Sequence, residues 1–313
     1  MSHVARFHPR TLQRGPVLLA ALVLAFVAAP ALAEGPAVRE ANFRVAADYS
    51  WTHLFSDDVF RFSPAPTTLV SAAEVDIDAG GFTGVYTMPL TDLGEQFGAR
   101  VYGGPRFGKV HPDTFEETKT YGMTLGGDVF WRDPEVGEIG VGSFYDFVYS
   151  EQGANPAPGS IDRSDHEAGV TAFGRLFLGD GSGLSFDLDA ATAFSDANID
   201  DNGSLSAERT YSAVGGIRTY FNDHASVRLG GLWSRTNFGT TEFVEDRLAT
   251  IDVEALLPTS TNVILGGGMV IGKRDTGSPG FQNFGRLVYG INLQATVSFA
   301  GAESLLELRR NFF

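Results

Sequence analysis

Cysteine is absent from all 313 residues. That excludes disulfide staples, thiolate metal sites and cysteine nucleophiles. Lysine is scarce: Lys109, Lys119 and Lys273 are the only three, so arginine carries nearly all the positive charge. Basic residues number 23 against 38 acids, a formal charge of −15. This balance argues against a nucleic-acid partner, because phosphate binding needs clustered Lys and Arg. Beyond the amino-terminal region no apolar run approaches the 18 residues of a membrane-spanning helix. There is no P-loop and no HExxH pair, and no cofactor or metal is expected.

The amino-terminal region reads as an address. Arg6, Arg10 and Arg14 precede an apolar run over 17–29, and Ala31-Leu32-Ala33 supplies a small-x-small cleavage pattern. Residues 1–33 are therefore expected to be a secretory signal cleaved before Glu34. Removing them removes three arginines and no acid, which takes the charge from −15 to −18.

What the chain has in abundance is a beat of alternating apolar and polar residues. Tyr121, Met123, Leu125, Val129 and Trp131 alternate with Thr120, Gly122, Thr124, Gly126 and Asp128. Leu287, Tyr289, Ile291, Leu293, Ala295, Val297 and Phe299 alternate with Arg286, Asn292, Gln294, Thr296 and Ser298. Successive strand side chains point to opposite faces, so each segment has one apolar and one polar side. Twelve such segments are expected, starting near 42–51 and ending near 287–299, with short turns alternating with longer polar loops. A soluble sandwich, or a barrel around an apolar core, is the competing architecture. Long strands, alternating loop lengths and aromatics near strand ends (Trp51, Tyr86, Trp131, Tyr149, Phe221, Trp233) favour a barrel in lipid. The fold expected is all-β: one transmembrane antiparallel up-and-down barrel over 34–299, apolar side out.

On this pattern the chain resembles Gram-negative outer-membrane β-barrel proteins, porin-like in general. The resemblance implies residence in the outer membrane, contact with its lipids and lipopolysaccharide, and delivery by the barrel-assembly machinery. It also implies that the aromatic-ended strand 289–299 closes the barrel. Residues 300–313 continue past it and end again in Phe. Their alternation suits lipid poorly, with Glu307, Arg309 and Arg310 among leucines, so a periplasmic or lumen-folded tail is expected rather than a further strand.

If apolar partners face out, the lumen receives Arg44, Arg100, Arg106, Arg175, Arg218, Arg228 and Arg286. Facing them are Asp48, Asp128, Asp146, Asp187, Asp189, Asp252 and Glu254. Such charges either line a water-filled pore or brace the interior by pairing. Abundant inward glycine, such as Gly126, Gly140, Gly216 and Gly268, is expected to leave space for water. A porin-like passive channel for ions or small solutes follows as the first reading. A structural or interaction barrel, meeting partners or lipopolysaccharide through its outer loops, is the second. A lipid-modifying enzyme is the third, since His53, His111 and His166 fall near the outer rim; adjacency of His166 to Ser164, Asp165 and Glu167 makes no dyad on a strand. His224 falls in a turn. Residues 198–203 resemble a calcium loop but lack its closing Glu, Arg209 standing there.

Overall fold

The computed structural model describes residues 41–56, 75–112, 117–152, 163–178, 186–200, 208–221, 223–238, 242–257, 262–277, 284–299 and 304–311. For 186–200 it describes the backbone only. The expected signal segment lies outside the described residues.

Each period-two segment is a strand: β1 Asn42–Ser56, β2 Val75–Pro89, β3 Phe97–Pro112, β4 Thr118–Asp133, β5 Gly137–Gln152 and β6 Arg163–Leu178. The second half follows as β7 Phe186–Asp200, β8 Glu208–Phe221, β9 Ala225–Phe238, β10 Glu242–Leu257, β11 Val263–Gly277 and β12 Phe284–Ser298. Every strand pairs antiparallel with its chain neighbours, and β1 pairs with β12 to close the barrel. Closure pairs the backbone edges that an open sheet would leave in hydrocarbon.

Large apolar side chains are exposed on every strand whose side chains are described, among them Phe82, Val101, Val141, Ile217, Leu229 and Met269. Among the described residues, buried apolar ones are few. Leaving a large apolar side chain in water costs roughly 1.5–3 kcal/mol, so a continuous belt of them is stable only in lipid. Aromatic pairs mark its edges: Phe43 stacks on Phe299 at 6.0 Å near one end, and Trp51 meets Tyr289 edge-on at 5.4 Å near the other.

Connections do not alternate strictly between short and long. At the end where β1 begins and β12 finishes, hereafter the inner end, they have seven, three, seven, three and five residues. At the outer end they have eighteen, five, ten, seven, three and six. The strands run further outward than the apolar alternation does, because both faces turn polar beyond the belt, as at Lys109, His111 and Glu151. Stretches that read as loops are thus strand backbone. The would-be calcium loop is one case: Asn198 to Asp200 pair with Ser164 to His166 in β7 and β6, and 201–207 lie outside the described residues.

The tail forms helix α1, Leu305–Asn311. Ser304 caps it by accepting the Glu307 backbone N–H at 3.1 Å, half of a Ser-x-x-Glu capping box. Leu305 and Leu308 are fully buried against Tyr220, Leu256 and Ile264, with Leu306 alongside. Those three strand residues face the lumen, so α1 folds back across the inner mouth on the β8–β11 side.

Candidate functional site

The lumen collects the polar face of the barrel, and its character changes along the axis. Near the outer half Asp48 meets Arg106 at 3.3 Å, with both side chains well exposed at 38% and 46%. At the inner end Thr87, Arg132, Asp133, Glu138, Ser226 and Ser298 are buried to within 1% of completely. The lumen is open outward and packed inward.

On the β3–β6 side the packing is an arginine–carboxylate–aromatic cluster. Arg100 donates from Nε to Asp128 at 2.8 Å and from Nη2 to Glu138 at 2.9 Å. Arg132 donates from Nε to the other Glu138 oxygen at 2.5 Å. The Arg100 guanidinium lies 4.6 Å from the Phe130 ring and 4.8 Å from that of Phe173, and Arg132 also stacks on Phe130 at 4.8 Å. Arg175 stands opposite Glu138 in register. The guanidinium fork and the two oxygens of Glu138 explain how one carboxylate serves two arginines.

On the opposite side Arg218 donates to Glu254 at 2.6 Å and to Ser226 at 2.9 Å, directly above the apolar seat of α1. Arg228 reaches Asp252 at 3.5 Å, and Asn292 donates to the same carboxylate at 3.3 Å. Arg44 faces the lumen between Val85 and Ser298. Arg286 stands opposite Arg274, which grips Asp246 with two hydrogen bonds of 2.6 and 2.9 Å. Asp146 lies between Thr124 and Glu167, and its buried Oδ1 makes no hydrogen bond among the described residues. Asp187 and Asp189 occupy positions opposite Arg218 and Arg175, but their side chains lie outside the described residues.

The structure thus joins Arg106–Asp48, Arg100–Asp128, Arg218–Glu254 and Arg228–Asp252 from the sequence-derived set. Sequence reasoning missed Arg132–Glu138 and Arg274–Asp246. The signal was available in part: Phe130 and Arg132 continue the inward alternation of Gly126 and Asp128 in β4.

Inward glycines do not leave open space. A side chain at Gly126 would meet the Tyr102 ring at 2.4 Å, and one at Gly140 would meet that of Phe173 at 2.3 Å. Gly216 is covered by the Arg228 guanidinium and Gly268 by Asp252 and Asn292. These glycines seat large neighbours across the ladder, correcting the expectation that they hold water.

The histidines at the outer rim face outward. His53 Nδ1 is 2.7 Å from Asp76, His111 lies between Asp78 and Glu117 at 3.5 and 3.3 Å, and His166 bonds the Tyr145 hydroxyl at 2.6 Å. These partners are carboxylates and a phenol rather than a serine nucleophile. His224 is exposed in a turn, its carbonyl accepting the Leu256 N–H. Among the described residues no group of three or more His, Asp or Glu is arranged to hold a metal ion.

No family model matches the sequence, and no curated protein matches it either. Solved structures do match the fold. An outer-membrane channel from Pseudomonas putida F1 is 13% identical, with TM-score 0.56, covering 85% of this chain and 98% of that one. The β domain of the Bordetella autotransporter BrkA is 12% identical, with TM-score 0.52, covering 82% and 99%. The transport unit of the Escherichia coli autotransporter AIDA-I is 12% identical, with TM-score 0.51, covering 90% and 97%. The chain has the fold of Gram-negative outer-membrane β-barrels, and its apolar belt is the surface which that fold presents to lipid.

Proposed function

We propose that this barrel is a narrow passive channel of the outer membrane for ions or small solutes, constricted at its periplasmic mouth. The observation that carries the reading is the gradient along the lumen, from the exposed Asp48–Arg106 pair to the buried Arg132–Glu138 cluster and the seated α1. The outer half is solvent-exposed and charged; the inner end carries the resistance. Among the contacts that hold helix α1 are Leu305 and Leu308 and a backbone hydrogen bond from Leu305 to the Asp223 carbonyl, and as a short terminal segment it is the removable half of the closure. Twelve strands lie between the filled eight-stranded barrels and the open sixteen-stranded porins. Transport and channel functions among the structural neighbours support this class of role. We assign no catalytic role to the rim histidines.

The test is single-channel conductance in planar bilayers, comparing the refolded chain 34–313 with one ending at residue 299. The reading predicts small, steady conductance for the longer chain and a severalfold increase for the shorter. Silence from both, with each shown to be folded by its heat-modified mobility, would overturn it. It would also favour the second reading, a sealed structural barrel, whose supporting observation is the depth of the Arg132–Glu138 packing.

A further inference from the structure

All three lysines of the chain stand on the outward face, in the outer parts of β3, β4 and β11. Two of them, Lys109 and Lys119, sit directly opposite each other in the β3–β4 ladder. Directly opposed like charges destabilise a strand pair, and nothing in the barrel's closure requires lysine at either position. Just inward of each on the same face is an exposed aromatic residue, Phe107 and Tyr121. With Tyr49 and Asp78 these side chains line a cleft of about 510 Å³ in the outer wall. Gly80 lets the Phe107 ring lie flat there, since a side chain at that position would meet the ring at 2.9 Å.

The charges around the cleft are unevenly satisfied. Asp78 accepts the Tyr49 hydroxyl and lies 3.5 Å from His111. Glu117 is shared between Lys109 and His111, both at 3.3 Å. Lys119 is exposed, and among the described residues it makes no ion pair; Glu151, its neighbour across β5, does not reach it. The wall therefore passes from an aromatic floor to two ammonium groups within two residues, a rise of ~7 Å along the strand.

We propose that the Lys109–Lys119 cleft binds a phosphorylated, acylated glycolipid of the outer leaflet, the lipid A part of lipopolysaccharide. The phosphate meets the exposed Lys119 ammonium and draws Lys109 away from Glu117 to share it, and an acyl chain lies over Phe107 and Tyr121. Bridging turns the opposed lysines from a repulsive pair into a shared anion site. In a chain with so marked an excess of acid, it also gives a local attachment to an anionic lipid surface that the barrel as a whole repels. The proposal is independent of whether the lumen conducts.

The test measures retention of diphosphorylated lipid A by the refolded full chain in neutral-lipid nanodiscs, read by native mass spectrometry. The comparison variants are Lys109→Gln/Lys119→Gln and, as a control on the same face, Lys273→Gln. The expected result is a tenfold or larger loss of retention in the double variant, little change in the control, and an equal loss for dephosphorylated lipid A. Inorganic phosphate at millimolar concentration should not compete. The substitutions remove a like-charge contact and one solvent-screened ion pair, Lys109–Glu117, so the double variant should fold about as stably as the parent. Retention within twofold of the parent would overturn the proposal. Competition by free phosphate would overturn the lipid assignment, and equal retention of phosphatidylglycerol would reduce the cleft to unspecific acidic-lipid adsorption.

Discussion

Replacing Glu138 by Gln tests whether the inner mouth is packed or wet. Glu138 is 1% exposed and accepts from Arg100 at 2.9 Å and from Arg132, itself fully buried, at 2.5 Å. Glutamine keeps the shape but takes away the charge that the two guanidinium groups share while both stay buried. Removing one partner from a buried ion pair costs about 3–5 kcal/mol, because the remaining charge keeps its desolvation penalty. An exposed pair is worth about 0–1 kcal/mol, so Asp48→Asn in the outer vestibule serves as the internal comparison. The assay is urea unfolding of the refolded barrel in micelles, followed by the fluorescence of Trp51, Trp131 and Trp233. We expect Glu138→Gln to lose several kcal/mol and Asp48→Asn to lose less than about 1 kcal/mol. Equal, small losses for both would mean that water reaches Arg132, and the packed-mouth description would be wrong.

Arg106→Ala should leave unfolding almost unchanged, since its pair with Asp48 is solvent-screened, yet shift the reversal potential in a salt gradient toward cations. An unchanged potential would remove Arg106 from the conducting path. Ser304→Ala should weaken the docking of α1 by about 1 kcal/mol through loss of its cap, adding brief steps from the small steady conductance up to the level of the chain that ends at residue 299. Leu308→Ala should act in the same direction by about 2–5 kcal/mol, the cost of truncating a fully buried leucine; open times equal to the parent's would show that α1 does not close the mouth. Gly126→Leu should displace the Tyr102 ring that covers it and destabilise the barrel by about 1–3 kcal/mol, read by the same urea titration.

The barrel was legible because lipid and lumen impose opposite demands on alternate residues. The run from Tyr121 to Trp131 shows this without ambiguity, and all twelve strands exist where the alternation places them. The outer strand ends were illegible for the converse reason: beyond the belt neither face needs apolar residues, so the alternation fades before Lys109 and His111. Pairing in the lumen was partly legible. Arg100 and Asp128 are direct cross-strand neighbours, whereas Arg100 and Glu138 meet across two strands, a contact set by register that one chain's alternation does not encode. Glycine misled because period-two reading assigns it a face but not a neighbour; Tyr102 over Gly126 depends on pairing. The seven-residue helix α1 was hidden by length, since its apolar residues span too few turns to show a period, although the Ser304-Leu305-Leu306-Glu307 cap was in plain view.

The absence of cysteine makes the most direct measurement clean: labelling of single introduced thiols by a membrane-impermeant maleimide, in vesicles accessible from the outer face. The positions are Asp48→Cys in the vestibule, Ser226→Cys at the packed mouth and Val101→Cys on the belt. The account predicts fast labelling at 48, negligible labelling at 101, and labelling at 226 only when the chain ends at residue 299. Labelling at 226 as fast as at 48 in the full chain would contradict a lumen open outward and constricted inward.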